Sequence, residues 1–143
     1  MNKLSSVKLE FEHIGIACKD ISVCKNFIKK TMKVIDETET IFDENQNAWL
    51  CMLTLGGGAK LELISGPIVE NIIKKNITYY HTCYSVVDIN KAIKKLKLES
   101  RALVISEPKP GKLFNGRLAA FLHTPLGIVE LIEKSDENFR HRR

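Results

Sequence analysis

A repeat at a spacing of 68 residues most limits how this chain can fold. Phe11-Glu12-His13 returns as Tyr79-Tyr80-His81, Asp20-Ile21 as Asp88-Ile89, and Leu61-Glu62-Leu63-Ile64 as Val129-Glu130-Leu131-Ile132. Agreement that runs from an early strand through a helix start to a last strand marks a duplicated supersecondary unit. Each copy carries one His and, 49 residues later, one Glu: His13 with Glu62, and His81 with Glu130. Both Glu residues lie at the centre of short apolar, β-prone runs. Strand side chains alternate between faces, so each Glu points away from its Leu and Val neighbours. An unpaired carboxylate on a buried face is very costly, and the His of the same copy offers a partner.

Taken in order, each copy reads βαβββ. Phe11 to Ala17 is a strand with His13 and Gly15 on one face. Asp20 is an N-cap, followed by Ile21, Cys24, Phe27 and Ile28 at helical spacing, in a helix ending near Met32. Val34 to Phe42 is a second strand and Trp49 to Leu55 a third, with Asp43 to Asn47 a polar loop between them. Gly56-Gly57-Gly58 turns the chain into the Glu62 strand. Pro67 opens a short helix through Ile73 in the linker. In the second copy Tyr79 to Val86 carries His81, Asp88 caps a helix through Leu96, and Arg101 to Ile105 is a strand. Glu107 to Gly116, with two prolines and two glycines, is a loop able to cover a ligand. Arg117 to His123 and Gly127 to Glu133 close the unit as a hairpin. The expected architecture is α+β: two paired βαβββ modules forming a curved mixed sheet around a metal-binding cleft, helices outside. It is a single domain over 8–143, with module one about 9–65, linker 66–77, module two about 78–134 and a basic tail at 135–143.

At 143 residues the chain is long enough for one well-buried core. No apolar run approaches a membrane span, and Met1 to Glu10 has no signal-peptide core. Cys18, Cys24, Cys51 and Cys83 lack metal-motif or secreted-framework spacing and read as reduced thiols of a cytoplasmic protein. The net charge of +5 includes Arg140, Arg142 and Arg143 of the terminal tail, and much of the rest falls on outer helix faces. No nucleic-acid motif accompanies it.

If the modules pair pseudosymmetrically, His13, Glu62, His81 and Glu130 share one face. Two imidazoles and two carboxylates suit one divalent metal ion: Zn, Ni, Co, Mn or Fe. Four protein ligands leave positions for the oxygens of a chelating small-molecule substrate, and a carboxylate that detaches could take a proton α to a carbonyl. Cys83, two residues after His81, faces the same side and reads as a small core residue. His123 reads as structural or as a group at the substrate's edge.

His13-Ile14-Gly15-Ile16-Ala17-Cys18-Lys19-Asp20-Ile21, Leu61-Glu62-Leu63, Tyr80-His81, Val87-Asp88-Ile89, and Ala119-Ala120-Phe121-Leu122-His123 through Val129-Glu130-Leu131 together resemble the vicinal oxygen chelate superfamily, which includes glyoxalase I and methylmalonyl-CoA epimerase. The resemblance spans Phe11 to Glu133. It implies His13, Glu62, His81 and Glu130 as metal ligands, Glu130 as the catalytic base, and a homodimer. The wording is more similar to the epimerase group, since Ala17 and Gly66 stand where glyoxalase I commonly has an Arg and an Asn. Epimerases carry a second carboxylate in the loop before the third strand; Asn45 stands at that place here, and the resemblance gives the role to the adjacent Glu44 after a one-residue shift. The expected activity is that of a metal-dependent isomerase acting through an enolate, with an acyl-CoA or other thioester as substrate. A glyoxalase I-type lyase and a non-catalytic ligand-binding protein are the alternatives.

Overall fold

The computed structural model describes residues 8–134; the basic tail at 135–143 lies outside them. The first repeat unit comprises β1 (Glu10–Ala17), α1 (Ile21–Thr31), β2 (Val34–Glu37), β3 (Ile41–Asp43), β4 (Ala48–Leu55) and β5 (Lys60–Ser65). A 3₁₀ turn at Pro67–Val69 runs into α2 (Glu70–Lys74). The second unit comprises β6 (Tyr79–Val86), α3 (Ile89–Ser100), β7 (Leu103–Pro110), a 3₁₀ turn at Lys112–Phe114, β8 (Leu118–Thr124) and β9 (Gly127–Glu133).

All strands join one curved sheet in the order β2-β4-β5-β1-β6-β9-β8-β7, with β3 also on β4. The halves meet at the antiparallel β1–β6 pair, and each half repeats the other's pairing: β1 runs parallel to β5, and β6 parallel to β9. The repeat extends to register. Gly15 lies opposite Glu62 and Cys83 opposite Glu130, both pairs related by the 68-residue offset.

Both long helices start where their Asp residues direct. Asp20 accepts a hydrogen bond from Ser22 N at 2.8 Å, and Asp88 accepts one from Lys91 N at 3.1 Å, satisfying amides the first turn leaves free. α1 buries Ile21 and Ile28 against Cys51, Leu53 and Leu63. α3 buries Ile89, Ala92 and Ile93 against Leu122, Val129 and Leu131. Leu63 and Leu131 therefore face the helices, and the alternate residues Glu62 and Glu130 face the other side. Phe27 is 60% exposed, so the buried stripe of α1 is narrower than its spacing predicts. Val69 packs with Ala17, Leu50 and Ile64, so the linker turns cover one end of the face that bears Glu62.

Two elements depart from expectation. The predicted second strand is two, β2 and β3, both antiparallel to β4. Thr38 lies between them and its Oγ1 accepts from Met52 N at 2.9 Å, a side chain replacing a ladder bond. The predicted loop from Glu107 is instead strand as far as Pro110, because two register shifts in the β7–β8 ladder accommodate Ser106 to Lys109. β7 is an edge strand, where Pro108 and Pro110 forfeit no inward ladder bond. No described helix is long and apolar enough to cross a membrane.

Candidate metal centre

The central strands carry the site. His13 and Gly15 on β1, His81 and Cys83 on β6, Glu62 on β5 and Glu130 on β9 all point to the face away from α1 and α3. His13, Glu62 and Glu130 are fully buried, and His81 is nearly so. Their donor atoms form a ring that alternates nitrogen and oxygen. His13 Nε2 lies 3.3 Å from Glu62 Oε1 and 3.2 Å from Glu130 Oε1, and His81 Nε2 lies 3.3 and 3.1 Å from the same two atoms. One donor from each residue lies within 4.8 Å of every other.

Those separations fit a small cation. Donors on adjacent positions of an ion with bonds of about 2.0–2.2 Å stand about 3 Å apart. Both nitrogens of His13 and His81 and both carboxylate oxygens of Glu62 and Glu130 are buried without a well-formed hydrogen bond. Buried polar groups are ordinarily satisfied, so this set of orphaned donors fits a shared ion at the centre of the ring. The mixed nitrogen and oxygen set suits a borderline divalent ion. These four residues could hold one.

The neighbours preset the ring. A Cβ on Gly15 would stand 2.3 Å from His81 Cε1, so His81 lies flat over the bare backbone of the adjacent strand. Phe114, from the 3₁₀ turn, stacks on His13 with centroids 5.6 Å apart and planes 15° apart. Phe121 and Tyr80 meet the His81 ring edge to face at 5.2 and 4.8 Å. The turn, Lys112–Phe114, roofs the ring at His13 and is tied down by Asp43, whose Oδ2 accepts from Lys112 N at 3.1 Å.

Electrostatics within the cluster are strong. Burial works against charging His13, but Cys83, Glu12, Glu130 and Glu62 together hold it far above the ordinary imidazole range. Burial is likewise outweighed at His81 by Glu130 and Glu62, and its value is pushed up to about 9. Burial raises Glu130, yet His13 and His81 bring its carboxyl down to about 2. Glu62 is also lowered: burial and Glu130 oppose ionisation and the two imidazoles prevail. Two imidazolium and two carboxylate charges balance one another, and a divalent ion would keep that balance by displacing two protons.

Of the predicted residues, the structure brings His13, Glu62, His81 and Glu130 together. Glu44 is not among the four: its side chain is 78% exposed and lies 3.8 Å from Lys112 Nζ. β3 ends on Asp43, which turns inward and is buried, and Glu44 follows it outward. His123 stands exposed on β8, and is not part of the cluster. Cys83 is buried; burial and the Glu130 carboxylate push its thiol up, which fits a neutral packing residue. Sequence reasoning missed Glu12, Tyr80, Phe114 and Asp43 as neighbours of the site. Gly15 carried a legible signal, since a glycine inside a strand marks a close approach.

Residues 12–121 match the model of the Glyoxalase/Bleomycin resistance protein/Dioxygenase superfamily, and the chain belongs to that superfamily. Among solved structures, methylmalonyl-CoA epimerase from Mycobacterium tuberculosis is similar at 17% identity and TM-score 0.74, covering 92% of this chain and 91% of its own. The hypothetical protein BH1468 from Bacillus halodurans C-125 shares 28% identity at TM-score 0.69, covering 91% and 96%. The Mn(II)-bound glyoxalase from Novosphingobium aromaticivorans shares 14% at TM-score 0.57, covering 89% of this chain and 40% of its own. The epimerase and glyoxalase similarities establish a common fold. No curated protein sequence matches significantly.

Proposed function

We propose that this chain is a divalent-metal-dependent enzyme that removes a proton α to a carbonyl, with Glu130 as base and an isomerase-type outcome on a small thioester. The observation that carries this reading is the closed ring of four buried donors, two from each half of the sheet. A divalent ion held by His13, Glu62, His81 and Glu130 would supply a Lewis acid for a chelating substrate and stabilise enolate charge. Glu130 is the candidate base because His13 and His81 keep its carboxyl ionised, and so able to accept a proton, at neutral pH. Phe114, Phe121 and Met52 give the site apolar walls that limit water around a carbanionic substrate.

The outward placement of Glu44 favours a second reading on the same site. An epimerase must reprotonate the opposite face and needs two bases. A glyoxalase-type lyase returns the proton to the neighbouring carbon and can work with one. With Glu44 outside, epimerisation would require Glu62, on the other side of the donor ring, as the second base.

The test combines metal analysis with solvent-deuterium exchange into methylmalonyl-CoA. About one ion per chain, exchange that needs it, and loss of exchange in Glu130→Gln with the ion retained would support the first reading. Metal without exchange, together with thiol-dependent turnover of methylglyoxal, would move the assignment to the lyase. No metal under any reconstitution would overturn both and leave a ligand-binding protein.

A further inference from the structure

Glu12 and Tyr80 hold corresponding places in the repeat, 68 residues apart, and each directly precedes a His of the donor ring. In a regular strand both would face away from that His, because successive residues alternate. The β1–β6 ladder breaks the rule twice. Between Phe11↔Tyr84 and His13↔Cys83, β1 advances two residues while β6 advances one, so Glu12 is the extra residue of a bulge. Between Gly15↔His81 and Ile16↔Tyr79 it is β6 that advances two, and Tyr80 is extra. Bulges re-aim side chains, and here one stands before each His.

The two bulges deliver different chemistry. Tyr80 brings an aromatic ring to His81, with centroids 4.8 Å apart. Glu12 brings a carboxylate to His13, its Oε1 3.6 Å from Nδ1. Lys60 Nζ donates to that same oxygen at 3.3 Å. His13 Nδ1 is buried with no hydrogen-bond partner, while Nε2 is the atom facing Glu62 and Glu130. With Nε2 in the donor ring, Nδ1 must carry the imidazole's proton, and a carboxylate beside it fixes that tautomer.

We infer that Glu12 is a positioning residue of the metal centre: it accepts from His13 Nδ1–H, orients the ring, makes Nε2 a stronger donor, and is itself held in place by Lys60. This rests on His13 being a metal ligand, as in the reading above. The 3.6 Å separation is slightly longer than a hydrogen bond, so the inferred bond requires a small closing movement of the Glu12 side chain. His81 receives ring packing at the equivalent place, so the two imidazoles are unequal ligands.

The test uses the full chain with Zn(II) alone as probe, in wild type, Glu12→Gln, Glu12→Ala and Lys60→Met. Affinity is measured by competition with a chromophoric chelator, and the His13 tautomer by proton–nitrogen NMR of the Zn(II)-loaded protein. Loss of an outer carboxylate partner should weaken binding about 10–100-fold. The His13 Nδ1 proton should also move upfield in both Glu12 variants, with a smaller effect in Lys60→Met. A purely structural role for Glu12 would not move that resonance while the ion is bound. Should Glu12→Ala fail to fold, the near-isosteric Glu12→Gln decides. Folded Glu12 variants with wild-type affinity and an unmoved resonance would overturn the inference alone. A wild type that fails to bind Zn(II) would overturn the metal reading with it.

Discussion

Gly15 and His81 share a space that admits only one side chain. The imidazole lies over the glycine so closely that an added Cβ would meet Cε1, Nδ1 and Nε2 at 2.3, 2.5 and 2.7 Å. Gly15→Ala must therefore tilt His81 or part β1 from β6. We expect the variant to fold but to lose divalent-metal affinity by about 100-fold, the upper range for disturbed ligand support. Calorimetric titration with Zn(II) checks this. Cys83 is the equivalent residue beneath His13, and Cys83→Ala, which removes atoms, is expected to retain the ion.

Metal affinity should rise with pH. His81 is held up to about 9 in the metal-free cluster, so at neutral pH the ion must displace its proton. Each displaced proton steepens the dependence by about tenfold per pH unit. The metal-free protein should behave oppositely. A raised imidazole contributes stability that is full below its ordinary 6.5 and lost as pH climbs through about 9. The depressed Glu130 contributes stability present above 4.5 and lost as pH falls through about 2. Melting curves at pH 6 and 9, with and without Mn(II), should show a larger metal-induced shift at pH 9. A shift that does not change with pH would exclude imidazole ligation.

The roof over the ring should set how fast an ion leaves. Asp43 is buried and takes hydrogen bonds from Asn45 N at 2.9 Å and Lys112 N at 3.1 Å. Asp43→Asn turns an amide donor toward one of these donors, a mismatch of about 1–3 kcal/mol. Metal removal by excess chelator is expected to accelerate several-fold, with the melting temperature lowered by a few degrees. Phe114→Ala should accelerate removal further, since it deletes the ring stacked on His13. Unchanged removal rates in both would mean that the ion exits elsewhere.

Glu62→Gln and Glu130→Gln should separate binding from chemistry. Each removes one anionic donor, and comparable losses of Zn(II) affinity are expected from the near-symmetric ring. Solvent exchange should fall far more in Glu130→Gln if Glu130 alone is the base, and equally in both if two carboxylates alternate. Exchange measured at saturating metal decides.

The donor ring was legible because it repeats. Once His13 and Glu62 recur as His81 and Glu130, parity places all four on one face and duplication brings the halves together. Glu44 was less legible because its assignment depended on a loop alignment, and there it is Asp43 that is buried and Glu44 that is exposed. Glu12 and Tyr80 were hidden for a related reason: strand alternation points them away, and a bulge leaves no period in a single strand. Asp43 acts on Lys112, 69 residues away, and Phe114 on His13, still further along the chain, contacts that no local pattern records. Thr38 split the second strand with a hydroxyl that propensity does not weigh.

The β1–β6 ladder is the principal backbone seam between the two halves, and the donor ring straddles it. Every His contacts one Glu of its own half and one of the other. A bound ion would therefore act as a rivet through the middle of the sheet, tightest where the halves would otherwise slide or part. Its binding energy would appear as cooperativity: amides of β1 and β6 should exchange with solvent only on global opening when the ion is present, and through a lesser, separable opening when it is stripped.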